Sequence, residues 1–135
     1  MDLSRLEKAI VSLEEALTAY DNAQAAPGSP QKTLMRDGTI QRFEYTFEMC
    51  WKMLKRYLEE YGLERVDTFT NRELFRVGAE TGLLADAELW FDYLRRRNLT
   101  SHTYDDKTAQ EVFQAAAAFS HDARFLLERL KERAV

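Results

Sequence analysis

Ile40-Gln41-Arg42-Phe43-Glu44-Tyr45-Thr46-Phe47-Glu48-Met49-Cys50-Trp51-Lys52-Met53-Leu54 is the stretch that decides the fold. Its apolar residues recur at three- and four-residue steps. On a helix this places Ile40, Phe43, Phe47, Cys50, Trp51, Leu54, Leu58 and Tyr61 on one face. Burying a Phe or Leu side chain contributes roughly 1.5–3 kcal/mol, so this face alone can anchor a helical bundle. Asp37 is the expected N-cap, and Gly62 after Tyr61 the expected stop. Glu44, Glu48 and Lys52 follow one another at i,i+4 on a single strip. They form either a solvated row of ion pairs, worth tenths of a kcal/mol each, or a strip that meets a partner. Cys50, between Met49 and Trp51, reads as a small buried apolar residue.

Working outward, a first helix is expected from about residue 3 to 25, with Leu6, Ile10, Leu13 and Leu17 on its inner face and Asp2 or Ser4 as its cap. Pro27-Gly28-Ser29-Pro30 ends it, and residues 26–36 form the expected mobile connection. Thr70 and Glu73 have capping-box spacing and open a short helix that Gly82 closes. Asp86 caps a further helix carrying Ala87, Trp90, Phe91 and Leu94, and Asp105-Asp106-Lys107-Thr108 starts a last one lined by Val112, Phe119, Ala123, Leu127 and Leu130. No stretch alternates as a strand would, and no long period repeats. The expected architecture is all-α: an up-and-down four-helix bundle with one extra short helix, a single domain over residues 1–135.

Composition narrows the function. The chain has 135 residues, 45% hydrophobic and 31% charged, ordinary values for a globular protein. No run approaches the ~18 apolar residues of a membrane span, and no signal-peptide pattern opens the sequence, so a cytoplasmic location is expected. Two histidines and one cysteine give no zinc-ligand spacing, and neither metal nor cofactor is expected. A net charge of −4 argues against broad, charge-driven nucleic-acid binding. Any RNA contact should be small and local, with Arg95-Arg96-Arg97 the obvious basic cluster.

The helix after Asp86 runs into Arg97-Asn98-Leu99-Thr100-Ser101-His102-Thr103-Tyr104, where an apolar pattern gives way to polar groups. Arg binds phosphate oxygens through a planar fork, and His, with a reference pKa of about 6.5, takes and returns protons near neutrality. Arg97 and His102 are therefore candidate catalytic residues for metal-independent RNA cleavage, in which a 2′-hydroxyl attacks the adjacent phosphate. On an unbroken helix the two would point ~140° apart, so convergence requires the helix to end or bend near Thr100-Ser101. Asn98, four residues before His102, can orient the imidazole. The competing reading is that an Arg and a His near a helix end simply offset its dipole and cap its carbonyls. His121 reads as a surface residue.

Arg97-Asn98-x-x-x-His102-x-Tyr104 resembles the Arg-x4-His-x-Tyr signature of HEPN-domain proteins. With the block from Arg36 to Glu48, then Trp51-Lys52, Gly82-Leu83-Leu84 and Trp90, most of the chain resembles the nucleotidyltransferase substrate-binding protein family. That family is related to the toxins of HEPN/MNT toxin–antitoxin pairs. Thr70-Asn71-Arg72 departs from the expected Ser/Thr-Pro-Arg. The resemblance implies a HEPN-like homodimer with Arg97 and His102 of both subunits near the dimer cleft, which removes the angular problem within one chain. It implies a minimal nucleotidyltransferase (MNT) as partner. In the toxin branch the bundle is an RNase, silenced when the partner transfers AMP to the motif tyrosine, here Tyr104. In the alternative the bundle is non-catalytic and presents a substrate to the nucleotidyltransferase. A third possibility is a dimeric helical adaptor with no active site.

Overall fold

Helix α2, Pro30–Glu60, is the longest element, and α1 (Ser4–Asn22), α4 (Ala87–Arg97), α5 (Asp106–Phe113) and α6 (Ala116–Arg133) all pack against it. Helix α3 (Asn71–Glu80) packs on α4, and short 3-10 turns cover Val66–Thr68 and Thr100–His102. The computed structural model describes residues 1–62 and 65–133, so the last two residues of the expected domain lie outside the described part. The architecture is the expected all-α bundle, with α3 as its extra short helix.

The start of α2 differs from expectation. Ser29, not Asp37, is the N-cap: its hydroxyl accepts the Lys32 N–H at 3.2 Å, and Pro30 occupies the first helical position. Pro has no N–H to leave unpaired there, and its φ is already helical. Ser29-Pro30 is thus the start signal of α2 and not only the stop of α1, and the connection is residues 23–29 instead of the expected 26–36. Thr70 and Asp86 cap as expected, accepting the Glu73 N–H at 3.1 Å and the Glu88 N–H at 2.9 Å. At α1 the N-cap is Leu3, not Asp2 or Ser4; Asp2, one residue earlier, still accepts the Ser4 N–H at 2.9 Å. Gly82, at φ 81°, stops α3 in a conformation that L side chains rarely adopt.

The expected last helix is two. Ala115 N–H turns back to the Val112 carbonyl at 3.1 Å, and α6 restarts so that it lies along α1 and α2 while α5 stays against α2 and α4. Neither Gly nor Pro marks this break.

Phe119 is the hub of the core. Phe43 (5.0 Å between centroids), Tyr93 (5.2 Å) and Trp90 (5.6 Å) all meet it edge-on, with Phe47 beside them. Of the α2 face, Trp51 lies at the edge of this core and Tyr61 outside it. Trp51 is half-buried and donates its Nε1–H to Asn71 Oδ1 at 2.8 Å, while Tyr61 is exposed and stacks on Tyr57. Cys50 is fully buried, and burial pushes its thiol pKa well up, which keeps it protonated and inert. Arg36 is buried at the start of α2 and bridges Asp106 (2.7 Å) and Asp37 (3.2 Å). Burial opposes its charge, but the hydrogen bonds to Asp106 and Asp37 outweigh it and raise its pKa. This pair ties α2 to the first residue of α5. Among the described residues, no helix is long and apolar enough to cross a membrane.

Candidate functional site

The end of α4 carries the three consecutive arginines, and the fold separates them. Arg95 pairs with Glu111 at 2.7 Å and Asp92 at 3.1 Å. Arg96 pairs with Asp92 at 2.9 Å and donates to the Glu111 carbonyl of α5. Both are committed to structural contacts, so the expected basic cluster reduces to Arg97. Hydrogen bonding to Arg95 holds the Glu111 carboxyl below its usual range. Tyr93, buried on the same helix, donates to Asp122, and burial first, then Asp122, pushes its pKa well up.

Helix α4 stops at Arg97, with Asn98 as its C-cap, and the chain turns through Thr100–His102. The helix thus ends before Thr100-Ser101, the condition that convergence of Arg97 and His102 requires. Arg97 faces α2, where its Nη2 meets Glu48 at 2.5 Å. Its Nε is buried without a hydrogen-bond partner among the described residues. The Thr100 hydroxyl lies between the Glu44 carboxylate and the Arg97 carbonyl, 2.8 Å from the latter, and has one proton for two acceptors. Glu44 and Glu48, expected either as solvated ion pairs along α2 or as a partner strip, instead hold the motif segment. Lys52 remains exposed on the same strip.

His102 is exposed, and its ring makes no hydrogen bond among the described residues; the Tyr104 ring stands edge-on, 6.4 Å away between centroids. Tyr104 is 88% exposed. Asn98 is exposed and does not bond His102, because α4 ends before it and the i,i+4 geometry that would join them is lost. His121 is at the surface, as expected.

A groove of about 890 Å³ opens beside Arg97, between α1 and α2. Four cations border it, Arg5, Lys8, Lys52 and Arg97, against two carboxylates, Glu44 and Glu48. Tyr45 and Met49 supply its apolar surface. Arg5 and Lys8 were not singled out from sequence, although with Ser12 they follow one stripe of α1 at three- and four-residue steps. Among the described residues, no group of three or more His, Cys, Asp or Glu side chains is placed to hold a metal ion.

Residues 1–132 match the family described as nucleotidyltransferase substrate binding protein like. The chain belongs to this family. A relative from Haemophilus influenzae, named a probable ribonuclease HepT, is 33% identical over 98% of this chain and 94% of its own length. A solved structure from H. influenzae, described as revealing the fold of a substrate binding domain of a nucleotidyltransferase, superposes with a TM-score of 0.88. It is 30% identical and covers 96% of this chain and 99% of that one. A crystal structure from Thermus thermophilus reaches a TM-score of 0.74 at 36% identity, over 93% of this chain and 98% of that one. The helical fold is thus shared along nearly the whole length of all three chains.

Proposed function

We propose that this helical subunit of a nucleotidyltransferase system is a metal-independent endoribonuclease of the HEPN toxin type. The observation that carries this reading is the contrast at the motif: His102 has a free, solvent-reachable imidazole, and Arg97 borders an open, net-cationic groove on an acidic chain. A purely structural pair would be tied up in hydrogen bonds. The relative named a probable ribonuclease supports the same direction.

In the proposed reaction Arg97 exchanges Glu48 for the non-bridging oxygens of an RNA phosphate. His102 takes the proton of the 2′-hydroxyl as its oxygen bonds to phosphorus, and a proton is returned to the 5′-oxygen as the P–O5′ bond breaks. The products are a 2′,3′-cyclic phosphate and a free 5′-hydroxyl. A homodimer brings two such motifs to one cleft. The cognate minimal nucleotidyltransferase silences the site by transferring AMP from ATP to the exposed Tyr104 hydroxyl, with release of pyrophosphate. The added bulk and negative charge repel an incoming phosphate. RNA as substrate and an ATP-using partner point to the cytoplasm.

A second reading has one observation in its favour. Glu48 already occupies Arg97, as expected of a subunit that presents a substrate to its partner and cuts nothing. The deciding experiment incubates the purified chain, free of its partner, with RNA in EDTA. Cleavage that disappears in His102→Ala supports the ribonuclease; no cleavage by the wild type, together with equal harmlessness of wild type and His102→Ala in cells, favours the presenting subunit. Co-purification from a shared operon tests the partner, and light scattering at tens of micromolar tests the dimer.

A further inference from the structure

We infer that the groove between α1 and α2 is a binding track for single-stranded RNA, leading the strand to the motif. The inference rests on the ribonuclease reading and names residues outside the motif that hold the substrate.

Charge is the first argument. The chain carries a net −4, yet this groove gathers four cations against two carboxylates. Among the described residues, Arg5, Lys8 and Lys52 form no ion pair, unlike Arg95 and Arg96. Unpaired cations in a groove are free to replace the counterions of a phosphate backbone. The acids nearest Arg5 in sequence are engaged elsewhere: Glu7 pairs with Lys131 at 2.6 Å, and the Asp2 carboxylate accepts the Ser4 N–H at 2.9 Å.

Shape is the second. Tyr45 stands in the groove, 40% exposed. Its hydroxyl is held 2.5 Å from Ser12 Oγ, and the Ser12 carbonyl accepts from Arg42 at 2.7 Å. The ring is thus fixed across α1 and α2 with open surface beside it. An immobilised aromatic flanked by cations stacks an unpaired base while the cations follow the backbone, a combination that suits single strands and not duplexes. Continuity is the third. Arg97 borders the groove, and Glu44, also on its wall, accepts from Thr100 two residues before His102. A strand in the groove therefore reaches the motif.

The test measures anisotropy of a short fluorescein-labelled single-stranded RNA, and of its duplex, against His102→Ala protein, in which binding is read without cleavage. Arg5→Ala/Lys8→Ala should weaken single-strand binding at least ~10-fold and make the log–log salt slope shallower by about 1.4, at about 0.7 per phosphate contact. Tyr45→Ala should weaken it ~5- to 150-fold, the range for one lost stacking partner, while Tyr45→Phe keeps the ring and the affinity. Circular dichroism checks that each variant is folded, and sedimentation that its oligomeric state is unchanged. Unchanged affinity and slope in these variants, or equal preference for duplex, overturns the inference. So does a charge variant that alters assembly instead, because the groove would then be an interface between copies. The two readings fail separately. If wild-type protein cuts no RNA but groove variants still lose binding, the ribonuclease falls and the track stands. If His102→Ala abolishes cleavage while groove variants bind and cut like wild type, the track falls.

Discussion

The two sides of the end of α4 hold the same residue type in opposite ways. Toward α5, Arg95 and Arg96 are paired with Asp92, the Glu111 carboxylate and the Glu111 carbonyl, Arg95 at the half-exposed surface. Toward α2, Arg97 meets one oxygen of Glu48, has no partner for its Nε among the described residues and borders open volume. Three adjacent guanidiniums thus divide into two that hold helices together and one that is under-satisfied. Supply of partners, not residue identity, separates them, because a charge already matched gains little from a ligand, whereas an incompletely matched one gains more.

The comparison is tested most severely by activity. Arg97→Ala and His102→Ala should each lower RNA cleavage at least ~10²-fold, the scale of a lost phosphate-stabilising or acid–base group, while Arg95→Ala leaves the rate at the parent level. Asn98→Ala should cost less than either. Equal losses at Arg95 and Arg97 would erase the distinction. Stability should show the reverse order. Arg96→Ala removes charged hydrogen bonds to Asp92 and α5, and should lower unfolding free energy by about 1–2 kcal/mol in urea titrations, whereas His102→Ala should stay within about 0.5 kcal/mol of wild type.

Glu48→Gln sharpens the same contrast on the α2 side. A half-exposed pair is worth up to about 1 kcal/mol, so freeing Arg97 from this carboxylate should tighten RNA binding by up to ~5-fold in anisotropy titrations. Weaker binding would mean that Glu48 positions Arg97 and does not compete with phosphate. On the α5 side, Glu111 should titrate by NMR below the ordinary glutamate value of about 4.3 and return toward it in Arg95→Ala. Its pKa is depressed in the folded state, so the pair stabilises the fold above the ordinary carboxylate range and the contribution is lost as pH falls through the folded pKa. The smallest effect on cleavage belongs to Tyr104→Phe, which should cut like wild type yet gain no AMP mass from the partner and ATP.

The sequence made the bundle readable because its apolar residues keep helical spacing from Leu6 to Leu130 and its caps are chemically distinctive: Thr70 with Glu73, Asp86, Gly82. Misreadings arose where one residue type carries two meanings. Pro30 stops one helix but also opens the next, and only the Ser29 hydroxyl bonded to Lys32 N–H decides between them. The break after Phe113 has no local marker and depends on how α6 docks along α1. At the candidate site, the motif singles out Arg97, His102 and Tyr104 by residue type and spacing. The partners were not legible in it: Glu48 lies far from Arg97 in sequence, and Arg5 and Lys8 join the groove only because α1 packs beside α2. Periodicity finds a face, whereas a site is built where faces of different helices meet.

Residues 98–105 contain no fully buried side chain, yet the segment is fastened at both ends. Before it, Arg96 grips α5; after it, Arg36 grips Asp106. The motif is a bridge between two piers, and the piers do not depend on what the bridge carries. Substitutions at its exposed positions, such as His102 and Tyr104, barely burden folding, whereas Leu99 packs on the core and Asp105 caps α5. Selection can thus revise the exposed groups without renegotiating the bundle. Descendants of one ancestral scaffold can therefore gain, lose or replace a reaction by drift in one exposed segment. A shared fold across such lineages records the piers, and each lineage's chemistry has to be read from the bridge.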